Sequence, residues 1–153
     1  MANLLINIHS PSQNTRRLRD ALIEGASHVD IADVTLRVTE PLQATADDVF
    51  WADAVILGTT ANFGYMSGAM KDFFDRTYET CLSKSEGLPY AIAIRGRSDA
   101  TGALASMDKI ITGLKWRAVQ DPLVCLGEFK ESFVANWQEL GLTVAAGLDN
   151  GIY

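Results

Sequence analysis

The chain is poor in the residues from which metal and redox sites are commonly built. Its 153 residues include two cysteines, Cys81 and Cys125, and two histidines, His9 and His28. The cysteines lie far apart and form no Cys-x-x-Cys pair, so we expect reduced, buried thiols and no zinc site. Lysine and arginine form no extended run, and the net charge is −6. A nucleic-acid surface, which needs clustered cations, is therefore not predicted.

Long apolar stretches and common nucleotide-binding motifs are also absent. No segment approaches the roughly 20 apolar residues of a membrane span, and the amino terminus carries no basic leader. These absences predict a cytoplasmic protein without membrane insertion. No Gly-x-Gly-x-x-Gly follows the first apolar run, and no Gly-Lys-Ser/Thr occurs. A Rossmann dinucleotide site and a P-loop are therefore not supported.

Apolar runs alternate with amphipathic stretches along the whole chain, which is typical of a parallel sheet covered by helices on both faces. Strands are predicted at residues 4–8, 34–38, 54–57 and 90–94, with a fifth inside 118–126. Helices are predicted at residues 15–25, 67–81, 103–114 and 129–146, with at most a short one at 46–51. We therefore expect a single α/β domain over residues 1–153, with a doubly wound, five-stranded parallel sheet.

After the first strand, the pattern Ser10-x-Ser12-x-Asn14-Thr15 resembles the phosphate loop of flavodoxins, Ser/Thr-x-Ser/Thr-x-Asn-Thr, which implies a phosphate site. In doubly wound sheets ligands bind outside the carboxyl ends of the strands. Hydroxyl groups and free backbone N–H groups at a helix start can surround a phosphate, and the candidate residues are Ser10, Ser12, Gln13, Asn14 and Thr15. The alternative is that Ser12 or Asn14 only caps the helix. Arg16, Arg17 and Arg19 follow, either near a phosphate or as solvated surface residues.

Residues 55–76 carry the most specific pattern, in which a buried strand leads into a polar loop and Ser67 caps an amphipathic helix. The pattern resembles the flavin-ring loop of flavodoxin-like proteins, especially the NAD(P)H-dependent FMN reductase and quinone reductase branches. The matching positions are Gly58, Thr59, Phe63, Gly64, Met66, Ser67, Gly68 and Lys71. The resemblance implies a three-layer fold whose parallel sheet has the strand order 2-1-3-4-5. It also implies that FMN lies along Thr59, Thr60, Ala61, Asn62, Phe63 and Gly64. Phe63 either contacts the flavin or packs in the core.

The segment after the fourth strand contains Arg95, Gly96 and Arg97 and would enclose the pyrimidine end of the flavin. Three interpretations of the arginines stay open. Either one could stabilise the anionic reduced flavin, receive the 2′-phosphate of NADPH, or be a solvated loop residue.

The resemblance implies an FMN-dependent oxidoreductase that passes electrons from NAD(P)H to a quinone or another small-molecule acceptor, with a homodimer as the expected assembly. No side chain is required as an acid or base. A flavodoxin-type electron carrier is the first alternative. The second is a cofactor-free interaction module, because Thr60 and Asn62 stand where many relatives have a proline and an aromatic residue.

Overall fold

The computed structural model describes all residues from 1 to 153 and contains seven strands and five helices. The strands are β1 (Ala2–Ile8), β2 (Val34–Thr39), β3 (Ala54–Asn62), β4 (Tyr65–Met66), β5 (Pro89–Gly96), β6 (Arg117–Ala118) and β7 (Leu123–Leu126). The helices are α1 (Gln13–Ala26), α2 (Ala46–Trp51), α3 (Gly68–Cys81), α4 (Thr101–Leu114) and α5 (Glu131–Asp149). None of the helices is long and apolar enough to cross a lipid bilayer.

The main sheet is parallel and runs in the order β2-β1-β3-β5-β6, with β7 also paired to β5. This confirms the predicted order 2-1-3-4-5, in which β5 is the fourth predicted strand. The fifth predicted strand differs from the expectation. That strand is split, because β6 pairs with the start of β5 and β7 pairs with its end. Residues 119–122 separate the two pieces and end in Pro122, which has no N–H to donate to a sheet.

The prediction that residues 59–64 form a loop is wrong in part. β3 continues through Asn62 and then pairs antiparallel with β4, Ala61 opposite Met66 and Asn62 opposite Tyr65. Phe63 (φ +52°) and Gly64 (φ +72°) form the two-residue turn. Positive φ at both central residues is the type I′ geometry, whose twist matches that of the flanking strands. The chain therefore presents a hairpin where a loop was expected.

Two apolar layers lie on opposite faces of the sheet. Side chains alternate along β1, so that Leu5 joins one layer and Leu4 and Ile6 join the other. The first layer is covered by α3 and α4, and the second by α1 and α5. α1 and α5 pack at backbone contact, because a Cβ atom on Gly25 would lie 1.9 Å from the carbonyl oxygen of Gln138. These layers fix the starts of α1 and α4 at the carboxyl edge of the sheet.

Candidate functional site

A cleft of about 520 Å³ opens at the carboxyl edge of the sheet. Three chain segments form its walls: the start of α1, the end of β3 with its turn, and the end of β5. Its lining residues are Ser12, Asn14, Thr15, Thr60, Ala61, Asn62, Phe63, Arg95, Gly96 and Arg97. The structure thus brings together ten of the fourteen residues predicted for the site. Ser10, Gln13, Thr59 and Gly64 do not line this cleft.

The start of α1 forms one end of the cleft and is closed by a capping box. The Ser12 hydroxyl accepts from the Thr15 N–H at 3.1 Å, and the Thr15 hydroxyl accepts from the Ser12 N–H at 2.9 Å. The Thr15 hydroxyl also donates to the Ser12 carbonyl at 3.0 Å. This confirms that Ser12 caps the helix. Because the first N–H groups of a helix have no partner within it, the N–H group of Asn14, which lines the cleft, is left to face a ligand.

The buried Ser10 forms a separate, partly buried network with two neighbours. The Ser10 hydroxyl donates to Glu40 at 2.5 Å and accepts from Arg19 at 3.1 Å. Burial lowers the pKa of nearby His9, and the negative charge of Glu40 partly offsets this effect. Ser10 therefore links β1 to α1 and to the segment after β2, outside the cleft.

Thr59 and Phe63 have opposite surroundings. The buried Thr59 hydroxyl accepts from the Ser67 N–H at 3.0 Å, and Ser67 caps α3 by accepting from the Met70 N–H at 3.1 Å, as predicted. Phe63 is fully exposed at 108%. The alternative that Phe63 packs in the core is therefore wrong, and its aromatic face is free at the rim of the cleft.

The two arginines after β5 differ in their contacts. The Arg95 guanidinium donates to the carbonyl oxygens of Gly96, Cys125 (3.2 Å) and Gly127 (2.7 Å). It also lies 5.1 Å from the centre of the Phe133 ring. Arg95 is thus not a solvated loop residue, because it ties the end of β5 to the segment after β7. Arg97 is exposed and forms no ion pair or side-chain hydrogen bond.

The arginines of α1 are largely occupied by surface carboxylates. Arg17 pairs with Glu131 at 2.8 Å, and this hydrogen bond holds the pKa of Glu131 below its usual range. Arg19 pairs with Asp20 at 3.0 Å. The Arg17 contact fits the surface interpretation of that residue. The Arg19 side chain is only 26% exposed and also donates to Ser10, so the interpretation of Arg19 as a solvated surface residue is wrong. Arg16 is exposed and forms no such pair.

A second cavity of about 490 Å³ adjoins the cleft and was not anticipated from the sequence. It shares Asn14, Arg95 and Arg97 with the cleft and adds Gly127, Glu128 and Phe129. These three residues directly follow β7, at the same sheet edge. Their place after the fifth predicted strand is the sequence signal that points to them, because ligands of doubly wound sheets bind outside the strand ends.

The donors around the cleft fit a phosphorylated planar ligand such as FMN. The free N–H groups at the start of α1 suit a phosphate. At the other end, Thr60 lines the cleft and its buried hydroxyl oxygen has no hydrogen-bond partner in the protein. Buried polar groups are rarely left without a partner, so this hydroxyl is available to a ligand. Phe63 adds an exposed aromatic face and Arg97 an unpaired positive charge.

Comparisons with known proteins point to the same ligand class. A family model described as NADPH-dependent FMN reductase matches residues 10–131. A flavodoxin of Aquifex aeolicus (strain VF5) is 33% identical over 75 residues, which are 49% of this chain and only 40% of that protein.

Solved structures agree in fold. A flavodoxin from the domain Archaea superposes with a TM-score of 0.77 at 18% identity, covering 97% of this chain and 99% of that one. A WrbA-like flavodoxin from Agrobacterium tumefaciens gives a TM-score of 0.76 at 19% identity, covering 98% and 99%. The fold is thus flavodoxin-like, and the chain belongs to the NADPH-dependent FMN reductase family.

Proposed function

We propose that this protein binds FMN in the cleft and catalyses NAD(P)H-dependent reduction of a quinone or another small acceptor. The observation that carries the proposal is the arrangement of three segments around one cleft. Free N–H groups lie at the start of α1, an exposed aromatic residue lies on the hairpin turn, and an unpaired arginine follows β5. The match to the NADPH-dependent FMN reductase family supports the same activity.

Each wall would have a distinct task. The Asn14 N–H group at the start of α1 would hold the phosphate, and the end of β3 would offer backbone groups and the Thr60 hydroxyl to the ring. Phe63 would cover one face of the ring, and Arg97 would supply positive charge to the reduced flavin or to a phosphate of NAD(P)H. When bound, FMN supplies the redox chemistry that no side chain of this chain provides.

The overall reaction transfers two electrons. NAD(P)H gives up a hydride, and a quinone takes up the equivalent of that hydride and one proton from solvent to become a quinol. The protein's contribution is to bind, orient and shield the reacting groups, so no acid or base side chain is assigned.

The test is a visible absorption spectrum of the purified protein before and after FMN is added, followed by anaerobic NADPH and NADH. Free FMN at the same concentration is the control. We expect a protein-bound flavin spectrum that bleaches when the nucleotide is added and recovers when a quinone is supplied. A colourless protein that ignores added FMN would refute the proposal and favour a cofactor-free interaction module.

A flavodoxin-type electron carrier is the second candidate, and the identity with the Aquifex flavodoxin favours it. A carrier would bind FMN but would stay yellow with NAD(P)H until a separate reductase was added. The same anaerobic titration therefore separates the two candidates.

We also propose a homodimer, on the strength of the family resemblance. Light scattering coupled to gel filtration measures the assembly directly, and a mass of about 16.6 kDa would show a monomer instead.

A further inference from the structure

The turn of the β3–β4 hairpin rests directly on the start of α4. A Cβ atom placed on Gly102 would lie 1.9 Å from the carbonyl oxygen of Gly64 and 2.9 Å from its carbonyl carbon. Real Cβ atoms essentially never approach other heavy atoms within 3.0 Å. The contact therefore exists only because residue 102 has no side chain.

A second glycine, Gly96 at the end of β5, lies in close contact with the β3 strand of the hairpin. A Cβ atom on Gly96 would lie 3.1 Å from the Cβ atom of Ala61. Gly96 ends β5 and Gly102 is the second residue of α4, so the two glycines flank the wall that carries Arg97. The hairpin thus makes two of its contacts with this wall at glycines that a side chain would crowd.

The outer side of the turn has no comparable support. A Cβ atom on Gly64 would meet nothing within 4 Å, and the Phe63 side chain is fully exposed. The position of Phe63 over the cleft is therefore set from the inner side, where the Gly64 carbonyl meets Gly102. A displacement at this contact moves the adjoining Phe63 with it.

From these contacts we infer that Gly102 is a positioning residue for the flavin ring, because its missing side chain lets the hairpin turn close onto the start of α4. The inference rests on the proposed FMN function. It assigns Gly102 no contact with the flavin, since the residue acts through the turn. Alanine at this position would push the Gly64 carbonyl or the start of α4 away by more than 1 Å, since the 1.9 Å approach must open beyond 3.0 Å.

The test compares Gly102→Ala with Gly68→Ala. Gly68 is the first residue of α3, and a Cβ atom there would meet nothing within 4 Å. Both changes favour the helical conformation in a first turn, so they differ mainly in the contact with Gly64. We expect Gly102→Ala to weaken FMN and riboflavin binding about tenfold, because reacting groups and their supports tolerate little displacement. Gly68→Ala should leave both affinities within about twofold on the same grounds.

A spectroscopic readout separates positioning from general destabilisation. The visible circular dichroism of bound FMN should change in Gly102→Ala, at flavin saturation and below the unfolding temperature, and should not change in Gly68→Ala. In a double-mutant cycle, Gly102→Ala should weaken FMN binding much less when Phe63 is already alanine, because both changes act through the same turn.

Wild-type protein provides a check that does not depend on how the variants fold. FMN binding should slow amide hydrogen exchange in the peptide that contains the start of α4 as well as in the hairpin. Equal FMN affinities for the two glycine variants, or slowed exchange in the hairpin alone, would overturn the inference and leave FMN binding intact. Wild-type protein that binds no flavin would instead overturn the proposed function, and with it the flavin role of Gly102.

Discussion

The two ends of the cleft differ in how their groups are partnered. At the start of α1, Ser12 and Thr15 bind each other through the capping box, and only backbone N–H groups are left for a ligand. At the hairpin end, Phe63 is fully exposed in a left-handed conformation and the Thr60 hydroxyl has no partner. The hydroxyl groups of Ser12 and Thr15 are thus paired without a ligand, whereas the Thr60 hydroxyl and the Phe63 ring have no partner.

This difference separates residues that stabilise the fold from residues that are free to contact a ligand. Groups that partner each other stabilise the fold and change little when a ligand arrives. Exposed or strained groups add nothing to the stability of the protein without ligand, and such groups are commonly found at functional sites. We therefore expect substitutions at the α1 end to lower stability, and some substitutions at the hairpin end to raise it.

The largest effect on stability is expected from Arg95, which distinguishes it from Arg97 on the same wall. Arg95→Ala removes the donor to the carbonyl oxygens of Cys125 and Gly127 and should lower the free energy of unfolding by about 3 kcal/mol. Arg97→Ala, the matched control, should change it by less than about 0.5 kcal/mol because the side chain is exposed. Urea denaturation measures both values.

For ligand affinity, measured on folded protein, the ranking should be the opposite, and Arg97→Ala should have the larger effect of the two substitutions. Arg97→Ala should weaken FMN or NAD(P)H binding several-fold, which isothermal titration can measure. A large loss of stability in Arg97→Ala, or none in Arg95→Ala, would remove the distinction between them.

The next effect concerns the α1 end. Ser12→Ala removes one side of the capping box and should lower the free energy of unfolding by about 1 kcal/mol. It also loosens the first turn that holds the phosphate, so FMN affinity should fall while riboflavin affinity stays the same. Riboflavin lacks the phosphate and serves as the control ligand. An equal loss for both flavins would show that Ser12 acts on the ring instead.

The smallest effect is expected at Phe63 and has the opposite sign. Phe63→Asn should raise the free energy of unfolding by about 0.5 kcal/mol, because asparagine tolerates positive φ better than phenylalanine does. Phe63→Ala keeps the strain and should not be stabilised in this way. Both variants should weaken FMN and riboflavin by the same factor, since each loses the aromatic face. Unchanged flavin affinity would remove Phe63 from the site.

Several features of the site were readable from local sequence. Ser12 and Ser67 each precede an amphipathic stretch, so their capping roles could be predicted and are confirmed. The hairpin was missed because its turn is Phe63-Gly64, without the Asn-Gly or Asp-Gly pair that usually marks a type I′ turn. The pairing of Ala61 with Met66 adds only a few hydrogen bonds, which periodicity over so short a stretch does not reveal.

The partners of the polar side chains could not be predicted in the same way. Ser10 bonds to Glu40, which lies 30 residues away, and Arg95 bonds to Gly127, 32 residues away. Neither pair belongs to one helix or one strand, so no local spacing records it. The sequence placed Ser10 and Arg95 in the right region, and the packing of distant segments decided where their side chains point.

Local sequence patterns predicted the alternation of strands and helices and the sheet edge at which a ligand is expected, and the family resemblance predicted the sheet order. The alternation depends on hydrophobic periodicity and on helix caps, which act over a few residues, whereas no local pattern records the strand order. Packing fixes the remaining features: Arg95 supports the wall while Arg97 stays free, Phe63 is exposed, and Gly102 contacts the hairpin turn. Each of these depends on contacts between segments that meet only when the sheet and its helices have packed.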